Sequence, residues 1–257
     1  MNSIKNIAIP GFNKKQDIEI KSLNKDLTQN KSFYFYSPVF FQKVAYAVFF
    51  LLYKTFVSIN IEGKENLSNL KGPIILAPNH TSELDVTIIP LTLSFFSDLY
   101  PIYFVSNAES RYNTFGWRNY IYGGKFFNLL GGYPVYLGQK NYELALQDHI
   151  NLLKKGHTVC IFPEGKRTEN GELSPGRGGL GFMAYATGAT VVPIAINTFY
   201  SIKPTDFFFR RRKVTVTVLK PILSKDLFAV SNPTVVDFQN ASQKVMNSIK
   251  NELFVLQ

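Results

Sequence analysis

Hydrophobic and polar positions divide the chain into three regimes. Residues 1–31 are polar, rich in Lys and Asn, and carry no periodic apolar spacing, so a loosely ordered tail is expected there. Ser32 to Tyr53 is the most apolar window, FYFYSPVFFQKVAYAVFFLLY after Ser32, bounded by Lys31 and Lys54. From residue 57 onward, short apolar runs rich in β-branched residues alternate with helical stretches. The expected organisation is a tail (1–31), an apolar helical segment (32–56) and an α/β domain (57–257).

Within that domain, Val57–Glu62, Pro73–Ala77, Ile102–Val105, Thr158–Phe162, Val191–Ile196 and Val214–Leu219 are predicted strands. Between the third and fourth, Tyr142, Ala145, Leu146, His149, Ile150 and Leu153 recur at helical spacing, and Gly156 closes the helix. A short helix is predicted over Leu180–Thr187. Asn232-Pro233 opens a last one, with the apolar stripe Phe238, Val245, Ile249 and Leu253. Strands alternating with helices predict an α/β fold, a mixed and largely parallel sheet flanked by helices.

The apolar window has the length of a bilayer span, but Lys43 falls at its midpoint beside Gln42, and Pro38 interrupts its first half. A lysine at the centre of a spanning helix costs roughly 2.5–3.5 kcal/mol. At a membrane surface the same lysine reaches water or lipid phosphate cheaply. One or two helices lying in the membrane interface are therefore expected, with a buried core helix as the alternative.

Charge sharpens this picture. The net charge of +10 sits at the two ends: 8 lysines against 3 acids in residues 1–60, and 9 basic against 4 acidic residues in 201–257. The middle, 61–200, is balanced at 11 of each. Basic flanks around a neutral centre suit a polyanionic surface, either lipid or nucleic acid, when they are not simply solvated. A hydrophobic fraction of 46% excludes global disorder, and a single cysteine excludes an internal disulfide framework. No apolar h-region with a small-residue cleavage site follows Met1, so secretion is not expected.

Candidate chemistry lies at two strand ends. Asn79-His80-Thr81-Ser82-Glu83-Leu84-Asp85 follows the strand Pro73–Ala77. A spacing of five does not put His80 and Asp85 on one face of a straight helix. It joins them if His80 sits on the turn and Asp85 points back from the first helical turn, which would set the imidazole up as a general base. The alternative is a plain capping box, with Ser82 and Asp85 as its members. Phe162-Pro163-Glu164-Gly165-Lys166-Arg167-Thr168 follows the strand Thr158–Phe162, at the kind of strand end where α/β sheets bind ligands. Lys166 and Arg167 suit phosphate; an ordinary polar turn is the other reading. Gly176-Arg177-Gly178-Gly179-Leu180-Gly181 satisfies G-x-G-x-x-G, yet a polar loop precedes it and no acid follows about twenty residues on, so dinucleotide binding is rejected. These glycines are instead expected to let backbone amides, with Arg177, meet an anion at the helix start.

Taken in order, His80-x4-Asp85, Phe162-Pro163-Glu164-Gly165-x-Arg167 and Val191-Val192-Pro193-Ile194-Ala195-Ile196 resemble the lysophospholipid acyltransferases, whose best-known members acylate 1-acylglycerol-3-phosphate. The resemblance covers about residues 58–222. It implies His80 as catalytic base, oriented by Asp85. It also implies Glu164, Gly165 and Arg167 at the acceptor's phosphate, and Pro193 at the border of the substrate site. The implied reaction moves an acyl group from acyl-CoA or acyl-ACP, as co-substrate rather than bound cofactor, to a lysolipid hydroxyl. Such an enzyme would be monotopic or peripheral on the cytoplasmic face, where the donor resides.

Two positions depart from the family pattern. Asn107 stands where members carry a lysine after the third strand, and would offer only a neutral hydrogen bond. Gly132-Tyr133-Pro134-Val135-Tyr136-Leu137-Gly138 lacks the usual arginine, the nearest cation being Lys140. That loss leaves other lysophospholipids or hydroxylated lipids open as acceptors. A lipid-binding protein without catalysis is a further alternative.

Other residues are not expected to do chemistry. His149 lies on an apolar stripe, His157 in a connecting turn and Cys160 inside a strand, with no metal-ligand spacing among them. Arg210-Arg211-Arg212-Lys213 lacks interleaved aromatic platforms, so nucleic acid is not an expected partner.

Overall fold

A computed structural model describes residues 31–106, 128–135, 141–197, 200, 201, 203, 205, 206, 209 and 213–255, with the backbone alone for 31–35 and 255. Residues 1–30 of the expected tail (1–31) and the Arg210, Arg211 and Arg212 cluster lie outside the described residues. Helix α1 (Lys31–Phe56) leads into β1 (Ser58–Glu62), a 3-10 turn (Lys64–Leu67), β2 (Ile74–Pro78) and α2 (Asp85–Thr92). Next come β3 (Ile102–Ser106), β4 (Gly132–Pro134), α3 (Tyr142–Ala145), α4 (Gln147–Lys154) and β5 (Thr158–Cys160). The described chain ends with α5 (Gly179–Thr187), β6 (Thr190–Asn197), β7 (Lys213–Val218), α6 (Ser224–Leu227) and α7 (Val235–Val255).

The strands form one sheet in the order β1-β7-β6-β2-β5-β3-β4. Every neighbouring pair is parallel except β6 with β7. The sheet is thus mixed and largely parallel, and β6, β2, β5, β3 and β4 present their carboxyl ends along one edge. Alternate side chains feed two cores. Ile75, Ala77, Tyr103, Val159 and Ala195 pack beneath α3, α4, α5 and α7. Ile74, Leu76, Ile102, Phe104, Val192 and Ile194 pack on the opposite face, towards α1 and α2. Burial on both faces explains why these strands are continuous apolar runs rather than alternating ones.

Three elements differ from expectation. β4 was not predicted, because Gly132 and Pro134, both poor strand formers, flank Tyr133; they are tolerated here on an edge strand only three residues long. The helix expected from Tyr142 to Gly156 is split at Leu146 (φ −116°, ψ 13°), although Ala145, Leu146, Ile150 and Leu153 remain in the core. Pro38 does not end α1, which runs unbroken over 26 residues.

Helix α1 is fastened along its length by its polar residues. Gln42 is buried and reads the sheet edge. Its Nε2 donates to the carbonyls of Ile102 (2.6 Å) and Leu130 (2.8 Å), and its Oε1 accepts from Ile102 N (2.9 Å). Tyr53, also buried, shares a hydrogen bond with Thr87 Oγ1 on α2 at 2.5 Å. Lys43 places Nζ 4.5 Å from the Phe95 ring and 4.4 Å from the Tyr100 ring, so its charge rests on aromatic faces of the protein itself. Burial there lowers its pKa from the ordinary lysine value. The outward stripe is apolar, including Phe40 (66% exposed), Val44, Val48 and Leu51 (65% exposed), with Phe96 (86% exposed) nearby in chain order to the Lys43 cage. Among the described residues Tyr36–Phe56 is one helix long and apolar enough to cross a membrane, yet only 11% of its most apolar stretch is buried. The buried-core alternative for this segment is therefore set aside.

His149 is fully buried in α4, with Nε2 3.2 Å from the Tyr133 carbonyl oxygen. Burial depresses its pKa to about 4, outweighing the opposite pull of Asp148 and of backbone carbonyls. The folded state therefore binds this proton less readily than the unfolded chain, whose imidazole titrates near 6.5. Stability from this group is complete above pH 6.5 and falls as the pH drops towards 4, by about 3 kcal/mol. Thermal melts of wild type and His149→Gln across that window should show a shallower acid loss in the variant; parallel curves would remove His149 from the acid response.

Candidate active site

The site begins where β2 ends. Asn79 carries the β2–β6 ladder beyond the strand: its Oδ1 accepts from Ile196 N (2.7 Å) and its Nδ2 donates to Ile196 O (3.0 Å). With Asn79 wholly buried, the chain leaves the sheet at a defined angle and His80 falls at the sheet's carboxyl edge. Its Nδ1 lies 2.9 Å from Asp85 Oδ2. That Asp85 oxygen also accepts from Thr81 N (2.6 Å) and Ser82 N (2.8 Å), while Oδ1 accepts from Thr81 Oγ1 (3.2 Å). Asp85 is fully buried at the first turn of α2, so its charge is held by four hydrogen bonds in place of water. The capping contact and the histidine contact thus coexist on one carboxylate. The His80 ring lies over Phe162, centroids 4.0 Å apart and planes 22° from parallel.

The loop after β5 is sewn to this turn. His80 N donates to Glu164 Oε1 (2.7 Å), Ser174 N to Glu164 Oε2 (2.8 Å), and Thr168 N to the His80 carbonyl (2.9 Å). Glu164, 1% exposed, is therefore a clamp with both oxygens engaged by backbone amides. It is not among the residues lining the cavity that holds His80. Burial pushes its carboxyl pKa up, opposed by those same N–H groups.

That cavity, of about 940 Å3, is lined by the polar residues His80, Thr81, Ser106, Lys166, Arg167 and Arg177 and by the apolar residues Val105, Val135, Ala145, Leu146 and Ile161, among others. Its three cations differ. Lys166 Nζ pairs with Glu169 (2.7 Å), and Arg167 Nη1 pairs with Glu83 Oε1 (2.7 Å). Arg177 has no carboxylate partner among the described residues. Gly165, at φ +69°, lies under it, and a Cβ there would stand 2.8 Å from Arg177 Cδ. Arg177 N donates to the Pro163 carbonyl (2.8 Å), joining the two loops again.

Packing places two further sets of expected residues. Pro193 is buried in β6, in register with Ala77, and is not among the residues lining the His80 cavity. Two amides of the glycine run are committed to α7: Gly176 N donates to Gln243 Oε1 (3.0 Å) and Gly181 N to Ser242 Oγ (3.1 Å). A Cβ at Gly181 would collide with the Phe238 carbonyl, and one at Gly176 would stand 2.9 Å from that of Ser242. Close helix packing explains these two glycines, where an anion-binding role was expected. Asn107, Tyr136, Leu137, Gly138 and Lys140 lie outside the described residues.

Sequence reasoning missed Phe162 as the plate beneath the imidazole, Ser106 and Gln239 as lining, and Glu83 as the partner of Arg167. Phe162 and Glu83 lay within motifs already singled out; Gln239, on the polar face of the last helix, carried no signal. Cys160 is buried, its thiol pKa pushed up by desolvation.

Residues 58–197 match the Acyltransferase family model. The chain is 32% identical over 172 residues to a protein named 1-acyl-sn-glycerol-3-phosphate acyltransferase LPAT1, chloroplastic, of Arabidopsis thaliana, covering 65% of this chain and 44% of that one. A probable 1-acyl-sn-glycerol-3-phosphate acyltransferase of Mycoplasma pneumoniae is 25% identical over 159 residues, 61% of this chain and 55% of its own length. The chain thus spans about half the length of the curated relatives it matches. Among solved structures, the 1-acyl-sn-glycerophosphate acyltransferase PlsC of Thermotoga maritima shares the fold, with a TM-score of 0.56, 20% identity and coverage of 95% of this chain and 97% of that one.

Proposed function

We propose, from the premise that the chain belongs to the Acyltransferase family, that it moves a fatty acyl group from a thioester to the free hydroxyl of 1-acylglycerol-3-phosphate in phospholipid synthesis. The observation that carries this reading is the His80–Asp85 contact of 2.9 Å at the mouth of a cavity holding Lys166, Arg167 and Arg177. With Nδ1–H directed at Asp85, Nε2 is the lone-pair nitrogen and removes the acceptor's hydroxyl proton. The oxygen attacks the thioester carbonyl, the C–S bond breaks, and the leaving thiolate takes the proton back from His80. Asp85 stabilises the imidazolium between these steps. This direct attack requires no acyl-enzyme, and Cys160 is buried in β5. The cations of the cavity receive the acceptor's phosphate, and its apolar wall faces an acyl chain. Acyl-CoA or acyl-ACP serves as co-substrate.

The domain over residues 57–257 carries the chemistry, and α1 brings it to lipid on the cytoplasmic face. Gln42 and Tyr53 hold α1 against the sheet and α2, so its apolar stripe meets the membrane from the side and the helix lies in the interface rather than crossing. The test is thioester consumption on vesicles carrying lysophosphatidate or lysophosphatidylcholine, with sedimentation of the protein in the same samples. Turnover on lysophosphatidate by vesicle-bound protein is expected. Turnover confined to lysophosphatidylcholine would reassign the acceptor. No transfer to any lysolipid would end the enzyme reading, and full activity without cosedimentation would end the membrane reading.

A further inference from the structure

Arg167 and Glu83 belong to the two loops that build the site, 84 residues apart, and meet at 2.7 Å. Both side chains are about half exposed, 51% and 52%. Glu83 stands outside the residues lining the cavity, whereas Arg167 is one of them, so the carboxylate reaches the arginine from the rim. Two links already join the loops without it: His80 N to Glu164 Oε1, and Thr168 N to the His80 carbonyl. The pair is therefore not needed to hold the loops together. What it does is occupy the guanidinium at Nη1 with one carboxylate oxygen.

We propose that Glu83 is a displaceable stand-in for the acceptor's phosphate, and so sets how strongly this site favours phosphomonoester head groups. This rests on the reading of the cavity as a lysolipid-phosphate site. An ion pair this exposed is weak, because water screens it and two long side chains lose freedom to make it. A phosphate dianion offers more acceptor oxygens and twice the charge, matching the guanidinium fork, and displaces it. Arg177, unpaired among the described residues, is the cation such a ligand meets without competition. Arg167 then becomes available only to a head group anionic enough to outbid Glu83. A neutral or zwitterionic acceptor leaves the pair intact.

The experiment compares wild type, Glu83→Gln, Arg167→Gln and the double variant for KM on lysophosphatidate and on monoacylglycerol, with inorganic phosphate as inhibitor. Glu83→Gln should lower the KM for lysophosphatidate by about two- to fivefold, and the inhibition constant of phosphate similarly, with no such fall for monoacylglycerol. In the Arg167→Gln background, adding Glu83→Gln should change neither constant. An unchanged or raised KM for lysophosphatidate in Glu83→Gln, or an equal fall for both acceptors, would overturn the proposal, and Glu83→Ala repeats the test should the first variant fold poorly. Wild type inactive on every acceptor would instead mean that the functional reading itself has failed.

Discussion

Replacing His80 by alanine should lower the turnover of acyl transfer by roughly 10²–10⁴-fold, the range that a positioned general base contributes. The fold should survive the change. Asp85 keeps Thr81 N, Ser82 N and Thr81 Oγ1 as donors after the imidazole is gone, so no buried charge is stranded. The His80 main-chain contacts to Glu164 and Thr168 are also untouched. The loss should appear in kcat with a small change in KM, because the proposed reading puts the acceptor's phosphate on Lys166, Arg167 and Arg177 rather than on His80. Turnover within tenfold of wild type would show that the proton is removed by some other group.

Asp85→Asn and Asp85→Ala should separate the two duties of the aspartate. Both should cost about 10²–10⁴-fold in turnover, since neither supplies the anion that holds Nδ1–H and balances the imidazolium. Stability should divide them. Asparagine retains an oxygen that accepts from Thr81 N and Ser82 N, whereas alanine leaves both amides without their buried acceptor. Each orphaned donor costs about 1–3 kcal/mol. The alanine variant should therefore melt well below the asparagine variant at similar activity. An asparagine variant with near-wild-type turnover would reduce Asp85 to a helix cap.

Legibility followed locality. The strands were readable because runs such as Ile74-Ile75-Leu76-Ala77 and Val191-Val192 are apolar on both faces, as a sheet covered by helices on both sides requires. His80 and Asp85 were readable as a pair because a strand, a turn and a first helical turn are consecutive chain, and five residues settle their meeting. Glu164 was singled out within the right loop, but its hydrogen-bond partners were not legible. Its partners are amides 84 and 10 residues away, which nothing in its neighbourhood announces. The same holds for Gly176 and Gly181, whose motif suggested an anion and whose real neighbours are Ser242 and Phe238.

Composition and periodicity by themselves determined the fold class, the order of most strands and helices, the apolar first helix and the turn that carries the histidine. All of these are decided by backbone preference and by which residues shed water, both local properties of the chain. Only the tertiary structure decided who satisfies whom: Gln42 on the edge of β3, Lys43 on aromatic faces, Glu164 between two loops, and Glu83 on Arg167. A buried or half-buried polar group takes whatever complementary group packing brings within 3 Å, and that neighbour is set by the folding of the whole sheet rather than by adjacent sequence.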